Sequence, residues 1–299
     1  MPDSPPGMTT DAATDVFVDH RELLFSVVYN MLGSVADTED VLQETWLAWA
    51  ARHRTADAAP IDNARAYLVR IAVNQALARQ ATISRRRETY IGPWLPEPVV
   101  TPLADAAERG ESVSMALMVV LEALTPLERV VFVLHEVFGY PHTETAAILG
   151  RSPSAIRQLA HRAREHVHAR RPRQQADPRV KRQLNERFIA AVMGGDLKAL
   201  LEILAPDVTM WADGGGKARA AGLRPVHGRD KIAKLLAASP SRPIPGLAVR
   251  QRLANGDLSL LLLSGDSPFA VIILDPTPEG DRVRGIYAVT NPDKLSRVS

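Results

Sequence analysis

The hydrophobic pattern of this chain changes character in its last third. In the stretches 16–87 and 111–168 apolar residues recur every three or four positions, and from Val208 onward they gather mostly into short runs. Helices repeat at 3.6 residues and strands at two, so a pattern written for one cannot serve the other. Helical bodies must therefore come first and a sheet-containing body last. In the first stretch Val16, Phe17, Leu23, Leu24, Val27, Val28 and Met31 mark one helical face, which Gly33 can end. Ser34 with Asp37 resembles a capping box for a second helix, which carries Val41, Leu42, Trp46 and Trp49. A third begins near Asp62 and holds Tyr67, Leu68, Ile71 and Leu77. Residues 1–12 are rich in Pro, Thr and Asp and read as a disordered N-terminus, so 13–87 form a compact helical domain.

Residues 88–110 hold Gly92 and four prolines (93, 96, 98, 102) with few periodic apolar residues, so they read as a linker. The run from Tyr90 to Pro98 is aromatic enough to pack on a surface. A second helical domain covers 111–173. Thr125-Pro126-Leu127-Glu128 supplies an N-cap, a proline at the first helical position and a glutamate at the third. The expected helix runs to Gly139, followed by a short helix from His142 to Leu149, the turn at Gly150, and a helix restarting at Ser152-Pro153 through His168. Helix, glycine turn, helix is the pattern of a helix-turn-helix.

Residues 177–299 form an α+β domain. Asp177 and Asp196 cap two helices. Strands are expected over 208–211, 247–253, 258–263, 269–274 and 283–289, with Asn255-Gly256 as a hairpin turn and a helix over 230–238.

A net charge of +2 conceals segregation. Residues 22–51 hold five acids and no Lys or Arg; residues 52–88 hold eight Arg against three acids; residues 151–173 hold seven Arg, at 151, 157, 162, 164, 170, 171 and 173, against Glu165. Basic blocks suit a polyanion, and an acidic block suits a separate basic protein. The first lysine is Lys181, which marks a change in composition near the last boundary. No cysteine is present, which excludes disulfides and thiolate metal sites. The chain opens with no charged-then-apolar leader, and no apolar run reaches the roughly 18 residues of a membrane span. A cytoplasmic protein with no membrane contact is the expectation.

Three segments carry chemistry. In a helix-turn-helix the start of the second helix enters the major groove. Here that part holds Arg157 and Gln158, followed by His161, Arg162 and Arg164; Arg157, His161 and Arg164 fall on one face, opposite Ile156, Leu159 and Ala163. Arginine suits both guanine edges and phosphates. The second segment is acidic: Asp37, Asp40 and Glu44 at spacings of three and four, with Gln43 beside them. Alone it would pass for a solubilising face. No second carboxylate cluster or phosphate loop joins it, so no catalytic residues, metal ligands or cofactors are assigned. The third segment sets Arg70, Tyr67 and Asn74 on a basic helix, where an amide can pair with an exposed base edge.

These segments carry a resemblance. Val41-Leu42-Gln43-Glu44-Thr45-Trp46-Leu47 resembles the polymerase-binding helix of sigma factor region 2. The stretch from Ala66 to Ala76 resembles the adjoining −10-reading segment. Leu124 to Leu134 and Ile156 to Glu165 resemble region 4. Their order and spacing resemble the extracytoplasmic-function sigma factors. The last domain resembles a SnoaL-like domain of the NTF2-like superfamily, a curved sheet and helices forming a cone. The marks of a fused subgroup are present: Trp94-Leu95-Pro96-Glu97-Pro98, Asp213-Gly214-Gly215-Gly216-Lys217 and Asn291-Pro292-Asp293-Lys294.

The resemblance implies a multidomain chain: two all-α domains, then an α+β cone. It implies an alternative sigma factor rather than an enzyme. Asp37, Asp40, Gln43 and Glu44 would meet the β′ clamp helices of core RNA polymerase, whose β subunit is also a partner. Asn74, with Arg70 and Tyr67, would read the −10 element of promoter DNA. Arg157, Gln158, His161, Arg162 and Arg164 would face the −35 element. Trp94, Pro96, Asp213, Gly214, Gly215, Gly216, Lys217, Asn291 and Asp293 would form an interdomain regulatory set, with the Asp213–Lys217 loop contacting the first domain or the linker. The free chain would be a monomer, and the cone offers room for a small-molecule ligand. Two alternatives stay open: a cyclase- or isomerase-like enzyme, using Asp213 and His227, fused to a DNA-binding module; and a one-component repressor with a ligand-sensing domain.

Overall fold

The computed structural model describes residues 10–54, 61–103, 113–169, 177–218, 222–241 and 244–298. Residues 1–9 of the expected N-terminal tail, residues 104–110 of the expected linker, and Arg170, Arg171 and Arg173 lie outside the described residues. The chain divides into two compact units, one of 1–86 with 121–167 and one of 87–120 with 168–299.

The first unit is helical. α1 (Thr10–Leu32) and α2 (Val35–Arg54) are joined at Gly33, whose φ of 69° lies in the left-handed region that glycine adopts without strain. Ser34 caps α2 by accepting from the Asp37 N–H. α3 (Ala64–Glu88) starts after Asn63, whose side chain accepts from the Ala66 N–H. Leu24, Val28, Met31, Val41, Trp49, Leu68 and Val73 are fully or almost fully buried in one core, and the Trp49 indole donates to the Ala13 carbonyl.

The helix-turn-helix residues enter the same core. α5 (Pro126–Phe132) opens with a complete capping box between Thr125 and Glu128. The helix expected to run to Gly139 instead widens into a π-helical turn at Val133–Val137. There Phe138 N–H reaches back to Val133 and Tyr140 N–H to Leu134, and His135 Nδ1 lies 2.8 Å from the Tyr140 carbonyl. α6 (His142–Leu149) ends at Gly150 with φ 61°, and α7 (Pro153–His168) follows. The two helical domains expected as separate bodies share this core: Val130, Val131, Leu134, Ile156 and Ala160 join it. The Arg129 side chain is 4% exposed, donates to the Asn30 carbonyl of α1 at 3.0 Å and pairs with Glu122. The apolar face of a four-turn recognition helix and its short neighbour is too small to form a core alone, so it borrows one.

The second unit is built on a seven-stranded sheet in the order β1-β4-β5-β6-β7-β2-β3. Its strands are β1 (Val100–Thr101), β2 (Leu204–Asp213), β3 (Val226–His227), β4 (Leu247–Ala254), β5 (Asp257–Ser264), β6 (Ser267–Pro276) and β7 (Val283–Val289). β2 and β7 are parallel and the other pairs antiparallel. Side chains alternate between faces. Leu260, Leu262, Ile272, Leu274 and Ile286 face one core with α8 (Pro178–Met193), α9 (Leu197–Ile203) and α10 (Arg229–Ala237). Leu261, Leu263, Val271, Ile273, Tyr287 and Val289 face the other. That second face is covered by linker and terminal residues: Leu95, Val100, Met115 and Ala116 of α4 (Met115–Leu121), and Leu295 of α11 (Pro292–Leu295). A strand apolar on both faces must be covered on both, which makes the linker a structural layer. The apolar pattern left α4, β1 and β3 unmarked.

Candidate functional site

On α2 the acids divide by exposure. Asp40 and Glu44 have side chains 56% and 52% exposed, and Gln43 is exposed between them. The Asp37 side chain is 9% exposed, which removes it from the docking set. Its carboxylate accepts from Arg86 at 2.7 Å and from Arg79 at 3.2 Å. Burial raises the Asp37 pKa, but the bonds from Arg86 and Ser34 and the Arg86 charge outweigh that and hold it below its ordinary value. Arg79 also pairs with Asp40 and, at 3.2 Å, with Glu44. One guanidinium from α3 therefore faces all three acids, a relation the sequence spacing concealed. Beside them a cleft of about 290 Å³ is lined by Phe17, Arg21, Glu39, Asp40, Leu42, Gln43 and Trp46. Leu47 beyond it is 56% exposed.

On α3, Arg70 and Asn74 are exposed one turn apart. Tyr67 is partly buried, with its ring centroid 5.8 Å from that of Trp49, and the Arg70 guanidinium lies 5.1 Å from the Tyr67 ring centroid. Tyr67 thus supports Arg70 as much as it presents itself. On α7, Ile156, Ala160, Ala163 and Val167 are buried, Leu159 is partly so, and Arg157, Gln158 and His161 are exposed. Arg162 pairs with Glu128 at 3.2 Å while staying 60% exposed. Arg164 does not share the open face: Glu136 of the π-helical turn holds it at 2.5 Å, and 34% of its side chain is exposed. Helical spacing alone could not show which arginine would find an acid on a neighbouring turn.

The interdomain set is concentrated around Asp213, at the end of β2. Its side chain is wholly buried. Oδ2 accepts from the Leu95 N–H at 2.8 Å and from Lys294 Nζ at 2.7 Å; Oδ1 accepts from the Tyr90 hydroxyl at 2.5 Å. Lys294 also donates to the Leu95 carbonyl. Its ammonium lies 4.2 Å from the Trp94 ring centroid, with Arg87 at 3.6 Å from that same centroid. Burial pulls the Lys294 pKa down, opposed by the charge of Asp213. Burial and the Asp213 carboxylate push the Tyr90 hydroxyl well above its ordinary value. Asn291 caps α11, and its Nδ2 donates to the Tyr90 hydroxyl at 2.8 Å. A side chain on Gly215 would collide with the Asn291 amide, and a Cβ on Gly216 would stand 3.0 Å from Ile91. Gly215 thus serves close approach to Asn291, and Gly216 close approach to the linker. Asp213 is internal and paired with Lys294 rather than presented on the loop surface, and Lys217 pairs with Asp293 at 2.6 Å. Lys294, Tyr90 and Leu95 were absent from the expected site set, although Leu95 and Lys294 stand inside the motifs named and Tyr90 opens the aromatic run before them.

The cone is filled. Leu184, Phe188, Leu200, Ile203, Val208 and Ile232 occupy its core. A cavity of about 10 Å³, lined by Lys181, Leu184, Asn185, Asp257, Leu258, Leu274 and Pro276, holds at most one water. His227 is exposed and lies 3.1 Å from the Thr209 hydroxyl, whereas Asp213 is engaged with the linker, so the two are not convergent. Among the described residues no three His, Cys, Asp or Glu side chains could hold a metal ion, and no helix is long and apolar enough to cross a membrane.

Comparison with known proteins agrees with this architecture. The family models for Sigma-70 region 2, Sigma-70 region 4 and the SnoaL-like domain match residues 16–86, 114–167 and 185–291. The chain is 39% identical over 290 residues to the ECF RNA polymerase sigma factor SigJ of Mycobacterium tuberculosis, covering 92% of this chain and 91% of that one. It is 36% identical over 194 residues to the probable ECF sigma factor SigI of the same organism, covering 63% of this chain and 66% of that one. The crystal structure of SigJ superposes with a TM-score of 0.73 at 36% identity, covering 95% of this chain and 98% of the other. The chain belongs to the extracytoplasmic-function RNA polymerase sigma factors, in the form that carries a C-terminal SnoaL-like domain.

Proposed function

We propose that this sigma factor docks on core RNA polymerase through Asp40, Gln43 and Glu44. Asn74 and Arg70, supported by Tyr67, then read the −10 element, and Arg157, Gln158 and His161 read the −35 element. Arg162, which stays exposed, contacts phosphate, and Arg164 orients the helix through Glu136. The exposure of these groups on helices whose other faces are buried supports the assignment. The chain acts in the cytoplasm, where core polymerase is.

The C-terminal domain governs initiation in cis by holding the linker. The observation that carries this reading is the buried Asp213 carboxylate, which accepts from the linker at both Tyr90 and Leu95. A linker bound this way cannot move until about three charge-assisted bonds break together. The reading assigns the cone a regulatory role, because its candidate Asp is committed to the linker. Run-off transcription with core polymerase tests the reading. The full chain, a truncation after Ala176 and a variant with Asp213 and Gly214–Gly216 replaced are compared. Both variants should change output while still binding core polymerase. Equal output from all three would overturn it.

A further inference from the structure

A second attachment of the linker lies at the turn between β4 and β5. Asn255 has φ 51°, the one positive value for a non-glycine among the described residues. A hairpin turn explains the backbone, and glycine would serve that turn as well. It does not explain the side chain. Asn255 is 3% exposed, and its amide bonds outside the hairpin. Oδ1 accepts from the Val99 N–H at 2.8 Å, while the Asn255 N–H donates to the Val99 carbonyl at 3.1 Å. Nδ2 reaches the sulfur of Met118, a wholly buried residue of α4, at 3.5 Å. β1 follows at once, with Val100 opposite Ala254 and Thr101 opposite Leu253. A two-residue edge strand is too short to hold itself in place. One amide therefore grips both the strand that follows the Asp213 contact and the helix where the region 4 match begins.

We propose that Asn255 is the positioning residue that fixes the linker as an edge strand of the C-terminal sheet and seats α4 beside it. The proposal rests on the reading that the C-terminal domain acts through the linker. It adds an anchor independent of Asp213: Asp213 holds residues 90–95, and Asn255 holds 99–118.

Full-length Asn255→Gly and Asn255→Asp separate the turn from the anchor. Glycine keeps the left-handed turn and removes both side-chain contacts; aspartate keeps the acceptor for Val99 and loses the donor to Met118. Hydrogen exchange should show Val99–Thr101 amides opening about tenfold faster in Asn255→Gly, the loss of roughly one buried hydrogen bond. The β5 and β6 amides should stay protected, and Asn255→Asp, which keeps the Val99 acceptor but buries a carboxylate, should fall between the parent and Asn255→Gly at Val99–Thr101. Transcription by Asn255→Gly should shift in the same direction as the Asp213 loop variant. Parental protection at Val99–Thr101 in Asn255→Gly would overturn the proposal. So would loss of β5–β6 protection in both variants, which would make Asn255 a hairpin-folding residue. A freed linker with parental transcription, while the loop variant shifts, would overturn it too. If neither the truncation nor the loop variant alters transcription, the reading of the C-terminal domain fails, and hydrogen exchange still decides the anchor.

Discussion

Replacing Asp213 by asparagine keeps the shape of the side chain and removes its charge. The amide has one acceptor oxygen where the carboxylate has two, so either the Leu95 N–H or the Tyr90 hydroxyl loses its acceptor, and Lys294, 8% exposed, loses its counter-ion. Breaking a buried ion pair from one side costs about 3–5 kcal/mol. The cost has a ceiling, because Lys294 can shed its proton instead. Deprotonating a lysine of ordinary pKa 10.5 at about pH 7.5 costs roughly 4 kcal/mol. The expected destabilisation of the linker contact is therefore about 3–4 kcal/mol. The Leu95 amide reads it directly: its exchange in Asp213→Asn should accelerate by about two to three powers of ten. The double variant Asp213→Asn with Lys294→Met removes both charges and leaves an apolar stem against Trp94, so it should recover the part of the loss that comes from the unpaired ammonium. A single variant within about 1 kcal/mol of the parent, or a double variant no better than the single, would refute a buried pair as the grip on the linker.

Three further outcomes are expected. The double Asp40→Lys, Glu44→Lys variant should bind core polymerase roughly tenfold or more weakly, while Arg79→Gln, which frees those acids and leaves Arg86 on Asp37, should tighten binding roughly two- to fivefold; fluorescence anisotropy with labelled chain measures both, and parental affinity for the Lys variant would reject the docking face. Arg157→Ala should lose about 1–3 kcal/mol of −35 discrimination in competition binding by holoenzyme, whereas an equal loss on every sequence would make Arg157 a phosphate contact. Because the Asp37 pKa lies below its ordinary 3.8 in the folded state, its pairing stabilises the first unit above that value and is lost as pH falls through the lower, folded value; acid unfolding of Asp37→Asn should lack that segment of the pH dependence.

Much of the architecture was legible in the sequence, because the signals are local. Periodicity, the Thr125–Glu128 capping box, Gly150 and Asn255-Gly256 specify elements within a few residues, and the structure has them at those places. The Asp213, Gly214–Gly216 and Asn291 motifs lie where the linker meets the C-terminal sheet. They did not reveal which atoms meet, since Asp213 and Leu95 are 118 residues apart. The same limit hid the fate of the charges. Asp37 and Arg164 look exposed by helical spacing, yet each is drawn to an oppositely charged group on another element.

The sequence by itself determined the element types, the order of two helical segments and a sheet domain, and the faces that must be buried. It could do so because propensity, capping and amphipathic period act over one or two turns. Tertiary structure alone decided that the two helical segments share a core, that the linker becomes a sheet strand, and that a loop aspartate is an internal counter-ion. Those outcomes depend on which apolar face finds cover and which buried charge finds its opposite. Both are settled by contacts between residues dozens to hundreds of positions apart, for which a single chain's local pattern carries no code.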